Sequence, residues 1–235
     1  MRRSDVVLAL AILVATAACV RLGFWQLDRY RLKQKLNAER AATLSAAPIP
    51  WDGSTTSPDV LGRRLAVSGR YDSTVHVLLA YREREGTTGV EVVTPLILNS
   101  SARVLVNRGW LPSEDGVSAR PQDFVEPGVL EVVGVAESLA HGRFGVHEVE
   151  RDSVRVLSTR ALDADTLTAR LGPLAPFVLR QLPGAGVPEH PRRSAPLPLP
   201  TGMHLGYAIQ WFVIAAVLLA GGGAMLRLKS GRGHP

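Results

Sequence analysis

From Leu205 to Leu226 (LGYAIQWFVIAAVLLAGGGAML) this chain carries no charged side chain. As an α-helix the segment rises roughly 33 Å, enough to cross a hydrocarbon core of about 30 Å. A second apolar segment lies at the other end of the chain. It is free of charge only from Val6 to Val20, roughly 22 Å of helix and short for a span. Arg21 interrupts it, yet LGFWQL carries the apolar character on to Leu27, and an arginine near a helix end reaches the headgroups with its charged tip. Two transmembrane helices therefore bracket one polar region. Whatever the chain does, it does at a membrane surface.

A formal charge of +6 and an isoelectric point near 10.1 raise the question of nucleic acid. The distribution of charge answers it. Of the acidic residues only Asp5, and of the basic residues only Arg2, Arg3, Arg21, Arg227, Lys229 and Arg232, fall outside residues 28–203. The polar region is thus almost neutral, and the excess positive charge flanks the apolar segments. That is membrane-boundary chemistry, not a phosphate groove, and no nucleic-acid partner is expected.

Motifs narrow the chemistry by exclusion. Cys19 is the single cysteine and lies inside the first apolar segment, so no intramolecular disulfide forms. The chain has no CxxCH, paired CxxC or HExxH, which excludes the usual c-type haem attachment and the commonest zinc patterns. Nor is there a GxSxG, a P-loop or a Rossmann glycine run. No nucleophile–base constellation stands out, and a membrane-anchored hydrolase would lack a recognisable triad.

Both termini lie on one side if both segments span. The short basic tails place them in the cytoplasm and the central region outside, although Arg29, Arg31, Lys33 and Lys35 crowd the far end of the first helix. The run ATAAC resembles a lipoprotein cleavage box ending at Cys19, but Thr16 is a poor residue three before the cysteine, and Phe24 and Trp25 continue the apolar character as an aromatic belt does. Cys19 is read as membrane-buried.

The expected organisation follows in chain order: a cytoplasmic tail over 1–5, a transmembrane helix over 6–27, and a juxtamembrane helix and linker over 28–61. A β-rich domain follows over 62–182 and a proline-rich tether over 183–203. A second transmembrane helix spans 204–226, and 227–235 form a tail. In the domain, β-branched runs recur at 64–71, 74–81, 89–98, 102–111, 129–137, 154–158 and 176–182, separated by turn residues. One helix is expected over 163–171, with Asp163 as N-cap and Gly172 past its end. Short strands with little helix predict a small antiparallel barrel or sandwich. Thr94-Pro95 implies an edge or bulge, and Asn107-Arg108-Gly109-Trp110 reads as a strand end with a packed Trp, a bend and an exposed Arg.

Among the six histidines, His76 and His147 fall in strands, His141 in a loop, His190 in the tether and His234 in the tail. His204 stands apart. It immediately precedes the second apolar segment, and Tyr207 and Trp211 follow at i+3 and i+7, on one helical face. Two readings stay open on spacing alone: a polar flank with interfacial aromatic anchors, or an imidazole that ligates an apolar, iron-bearing macrocycle. Trp25 lies at the same membrane face as His204 under the favoured orientation.

In order along nearly the whole chain, four stretches resemble the surfeit-locus family of cytochrome c oxidase assembly proteins. They are LGFWQLDRYRLKQKL with Gly23, Trp25, Gln26, Arg29 and Lys33; GRYD and the segment Arg82–Pro95 with Gly86, Gly89 and Thr94-Pro95; VLVNRGWLP; and HLGYAIQWF. One departure is TGM before His204, where members often carry asparagine or arginine. The resemblance implies a chaperone-like assembly factor, not an enzyme, that binds haem a non-covalently and helps place it in the large oxidase subunit. It implies His204 as axial ligand to the haem iron, with Tyr207, Trp211 and Trp25 as neighbours, and Arg21, Arg29 and Arg192-Arg193 as possible partners of the propionates. Implied partners are the large oxidase subunit, haem a synthase and membrane lipid. The alternative is a haem-independent scaffold holding oxidase subunits. The short N-terminus lacks transit-peptide character, so a bacterial plasma membrane is expected, with the domain extracytoplasmic.

Overall fold

The structure, a computed structural model, describes residues 3–53, 60–142, 144–151 and 153–231. The expectations for Arg2, Arg232, His234 and most of the 52–58 loop lie outside them. The chain divides into two units, Ala42–Pro196 and Met1–Ala41 with Leu197–Pro235. The proline-rich stretch is thereby split, its residues through Pro196 grouping with the strands.

The helix α1 runs Arg3–Ser45 without a break, within the helical unit as far as Ala41, joining the first apolar segment to the charged stretch after it. The second helix of this unit, α3, runs Gly202–Gly231. Both are long and apolar enough to cross a membrane.

The other unit is built on nine strands: β1 (Ile49–Pro50), β2 (Arg64–Tyr71), β3 (Val75–Arg84), β4 (Thr87–Leu98), β5 (Arg103–Pro112), β6 (Leu130–Ser138), β7 (Val146–Arg151), β8 (Val154–Thr159) and β9 (Phe177–Gln181). One helix, α2, covers Ala164–Leu171. The strands follow the order β1-β2-β6-β9-β5-β4-β3-β8-β7, and a further β2–β4 pairing closes β2, β6, β9, β5 and β4 into a ring. The expected antiparallel sheet is corrected to a mixed one, because β1–β2, β3–β8 and β5–β9 pair in parallel. The last two parallel pairs join strands far apart in sequence, the long connections that parallel pairing requires.

Alternation assigns the core. Leu65, Val67 and Tyr71 of β2 meet Leu96 and Leu98 of β4, Val104 and Val106 of β5, Val132 and Ala136 of β6, and Phe177 and Leu179 of β9. These are the inward positions of the five ring strands. The intervening residues Val93, Leu105 and Val178 point the other way, against Leu167 and Leu171 of α2. That helix forms as expected. Asp163 caps it by accepting from Thr166 N at 2.9 Å, and Gly172 ends it at a φ of +83° that favours glycine.

Two details decide where polar groups sit. On one side β4 pairs β5 throughout, while on the other it pairs β3 up to Val93 and β2 from Leu96. Thr94-Pro95 lies where the partner changes, so the missing N–H of Pro95 interrupts no ladder on that side. Opposite it, the β4–β5 register passes from Val92↔Gly109 to Val93↔Asn107, leaving Arg108 as the bulged residue. The expected exposed arginine is therefore corrected: Arg108 turns inward and is 2% exposed.

Candidate functional site

The site follows from how α1 and α3 meet. On α1, Thr16, Cys19 and Gly23 are buried, with Ile12 one turn earlier and Gln26 one turn later. Steps of four and three residues keep this seam on one face of the helix. On α3 the matching row is His204, Ala208, Trp211, Ala215 and Gly222, of which both alanines and Gly222 are buried. A side chain at Gly222 would stand 2.9 Å from Ile12, and one at Gly23 would stand 2.7 Å from the Phe212 ring. Contacts that climb one helix while descending the other make the pair antiparallel. Small residues let the backbones approach, as helices in lipid require.

His204 sits at the end of this seam, half-buried. Its Nδ1 lies 2.8 Å from Gln26 Oε1. An amide oxygen only accepts, so Nδ1 donates, and in the neutral form of the ring the lone pair is on Nε2. Beyond Gln26 the α1 seam continues as Lys33, Asn37 and Arg40, at the same spacing, and binds the segment entering α3. Asn37 donates through Nδ2 to Leu199 O at 3.0 Å and accepts from Leu199 N at 2.8 Å. Lys33 donates to Pro200 O at 3.0 Å and Arg40 to Leu197 O at 3.4 Å. His204 N closes the approach on Thr201 O at 3.2 Å. The imidazole is thus held by its ring and by its backbone.

The other expected residues lie on the same two helices, near His204 or Gln26 in sequence. Trp211 is half-buried, and Tyr207 and Trp25 are each 49% exposed. Trp25 neighbours Gln26 in sequence and carries the Arg29 guanidinium 5.8 Å over its ring. Phe24 packs edge-on against Phe212 at 5.3 Å. A shallow hollow of about 800 Å³ on α1 is lined by Leu22, Phe24, Trp25 and the flanking Arg21 and Asp28; His204 is not among its walls. Of the arginines considered for propionates, Arg21 lines this hollow and Arg29 stands over the Trp25 ring. Arg193 does neither: its side chain is 1% exposed inside the β unit, where Nη2 donates to Glu126. Arg192 pairs with Glu85 at 3.2 Å, and its backbone bridges Trp110.

Sequence reasoning named Gln26 and His204 separately and missed their bond, and it missed the Asn37 clamp. The signal was present as the four-three spacing from Ile12 to Arg40. Among the described residues no group of three or more His, Cys, Asp or Glu is placed to hold a metal ion. Chemically, then, the site offers one oriented imidazole beside aromatic surface.

Residues 13–216 match the SURF1 family. An uncharacterized SURF1-like protein of Mycobacterium tuberculosis is 26% identical over 220 residues, covering 90% of this chain and 79% of its own length. Surfeit locus protein 1 of Xenopus tropicalis is 31% identical over 152 residues, 56% of this chain and 48% of its own. The cytochrome oxidase assembly protein SHY1 of Saccharomyces cerevisiae is 32% identical over 98 residues, 40% of this chain and 25% of its own.

Proposed function

The chain belongs to the SURF1 family, and from that premise we propose that it is an assembly factor for cytochrome c oxidase that carries haem a as cargo, ligated by His204. The assembly role is supported by the yeast relative, which is named for it. The haem reading is supported by one observation above others: Gln26 engages Nδ1 of His204 and leaves Nε2 as the lone-pair nitrogen. A hydrogen-bonded second nitrogen is the usual arrangement of a metal-ligating histidine, since it fixes the tautomer and raises the basicity of the ligating atom.

In this proposal each residue has a task. His204 supplies the axial nitrogen to the iron. Gln26 holds the ring, and Asn37 and Lys33 hold the backbone that presents it. Tyr207, Trp211 and Trp25 offer aromatic surface to the macrocycle, and Arg21 or Arg29 offers a guanidinium to a propionate. Haem a is apolar over most of its surface, so a site at the end of a helix pair long enough to cross a membrane suits it. The ligand bond is non-covalent, which lets the cargo leave for the large oxidase subunit; haem a synthase is the donor that this order of events implies. The protein acts in a bacterial plasma membrane with both termini cytoplasmic and the β unit extracytoplasmic, and it is not an enzyme.

A second reading draws on the same bond. If the His204–Gln26 pair serves only to lock two helices together, the chain is a haem-independent scaffold for oxidase subunits. Complementation separates the two. In a strain lacking the chromosomal gene, His204→Gln keeps a polar side chain at the helix junction but removes the imidazole. The haem-carrier reading expects oxidase with depleted haem a and normal amounts of the variant in the membrane. Full haem a content in the assembled oxidase would contradict it and favour the scaffold.

A further inference from the structure

The bulge in β5 puts a guanidinium where an uninterrupted strand would not. Arg108 Nε and Nη2 donate to Glu126 Oε1 at 3.0 and 2.7 Å, and Nη2 also donates to Phe124 O. Its guanidinium lies 4.9 Å over the Tyr71 ring. Arg193, brought in by the segment after β9, donates to the same Glu126 oxygen and through Nε to Gln181 Oε1 at 3.0 Å. Two buried cations therefore share one buried carboxylate. Asp72 does not balance them, because it is held by Arg103 at 2.6 Å. Uncompensated charge in such a place is costly, and an anion would relieve it.

Beside this cluster lies a cavity of about 200 Å³, lined by Arg70, Tyr71, His76, Arg108, Glu126 and the 121–128 loop. His76 is 3% exposed. Its Nδ1 meets Thr94 Oγ1 at 2.9 Å, and its Nε2 is buried with no hydrogen-bond partner. The tautomer in which the Thr94 hydroxyl donates to Nδ1 puts the ring proton on Nε2, a donor without an acceptor. Burial, then the Arg108 charge, pushes the His76 pKa down to about 4, so the ring is neutral near pH 7. Burial and Glu126 likewise hold the Tyr71 phenol above its ordinary range, as a neutral donor.

The site thus combines surplus positive charge, an unpartnered imidazole nitrogen and a cavity with room for several water-sized groups. A metal cation would be repelled by the guanidiniums. Water answers the N–H but not the charge. We propose that this cavity binds a small free oxyanion, of the carboxylate or phosphate type, between His76 Nε2 and Arg108, with the exposed Arg70 at its mouth.

The test uses the full chain in detergent micelles with ¹⁵N-labelled imidazoles. Sodium phosphate and sodium acetate are titrated separately, against sodium chloride at matched ionic strength. The His76 resonances are identified by their loss in His76→Gln or, if that variant does not fold, by proximity to Thr94. The proposal expects a saturable shift of His76 Nε2 with phosphate or acetate and a melting temperature of the β unit that rises with the same anion. In Arg70→Gln, whose side chain is at the surface, the midpoint moves to about tenfold higher concentration, as loss of one charged hydrogen bond implies. A His76 response no larger than with chloride, or a shift confined to exposed histidines, would overturn it.

Discussion

Gln26 on α1 and His204 on α3 are 178 positions apart in sequence and share a hydrogen bond of 2.8 Å. The bond caps a seam whose residues recur on α1 at four-three intervals from Ile12 to Arg40. Below it, small residues bring the helices together. Above it, Asn37 and Lys33 hold the chain that leads into α3. One face of one helix thus sets both the position of the imidazole and the identity of its free nitrogen.

Removing the partner should therefore weaken the ligand without dismantling the pair. Gln26→Ala is expected to lower haem affinity about 10- to 100-fold, the usual effect of losing such a partner. Gln26→Glu, which still accepts from Nδ1, should stay close to wild type. Haem titration of the purified variants in detergent measures both.

The close approach at Gly23 predicts a steric pair. Gly23→Leu drives side-chain atoms into the Phe212 ring, which a single Cβ would already approach to 2.7 Å. The expected cost is about 1–3 kcal/mol of helix-pair stability. Adding Phe212→Ala should return part of it. A double-mutant cycle followed by thermal unfolding in detergent checks the coupling.

Within the β unit, Arg108→Ala should be among the most damaging single changes. It empties a site 2% exposed and removes the charged hydrogen bonds to Glu126 and Phe124 O while Arg193 keeps Glu126 paired, and losing a charged hydrogen bond costs about 1.5–3 kcal/mol. Urea unfolding followed by the fluorescence of the buried Trp51 reports the loss.

Stability should also fall with acid through His76. Its folded pKa of about 4 lies below the ordinary 6.5, with burial the larger cause. From pH 6.5 down to 4 the unfolded chain takes up a proton that the folded chain refuses. The contribution is nil above that window and reaches roughly 3 kcal/mol of destabilisation below it. His76→Gln should lack this part of the pH dependence, so the difference between the two unfolding curves isolates it.

Much of the fold was legible because its signals are local. The alternation RLAVSGRY marks 64–71, and β2 occupies those residues with Leu65, Val67, Gly69 and Tyr71 facing in. Asp163 and Gly172 bound α2 because capping chemistry is a matter of a few neighbouring atoms. What escaped was non-local. The strand β7 (VHEVER) is a polar edge with little hydrophobic alternation, and of its residues only His147 reads as lying in a strand. Parallel pairing of β3 with β8 depends on a connection that no window of sequence contains. Arg108 read as exposed because a lone arginine at a strand end ordinarily is; its partners Glu126 and Arg193 arrive from a loop and from the stretch after β9. At the helix junction, His204 stood out by position, but the atom that orients it belongs to the other end of the chain.

The most direct measurement is the absorption spectrum of the full chain purified in detergent from a host that makes haem a, beside His204→Ala prepared in the same way. The account predicts a haem a spectrum with the wild-type protein and its loss in the variant, with both still folded by the β-unit fluorescence. An equal haem a spectrum in the variant would contradict His204 as the ligand, and no haem a in either would contradict the carrier.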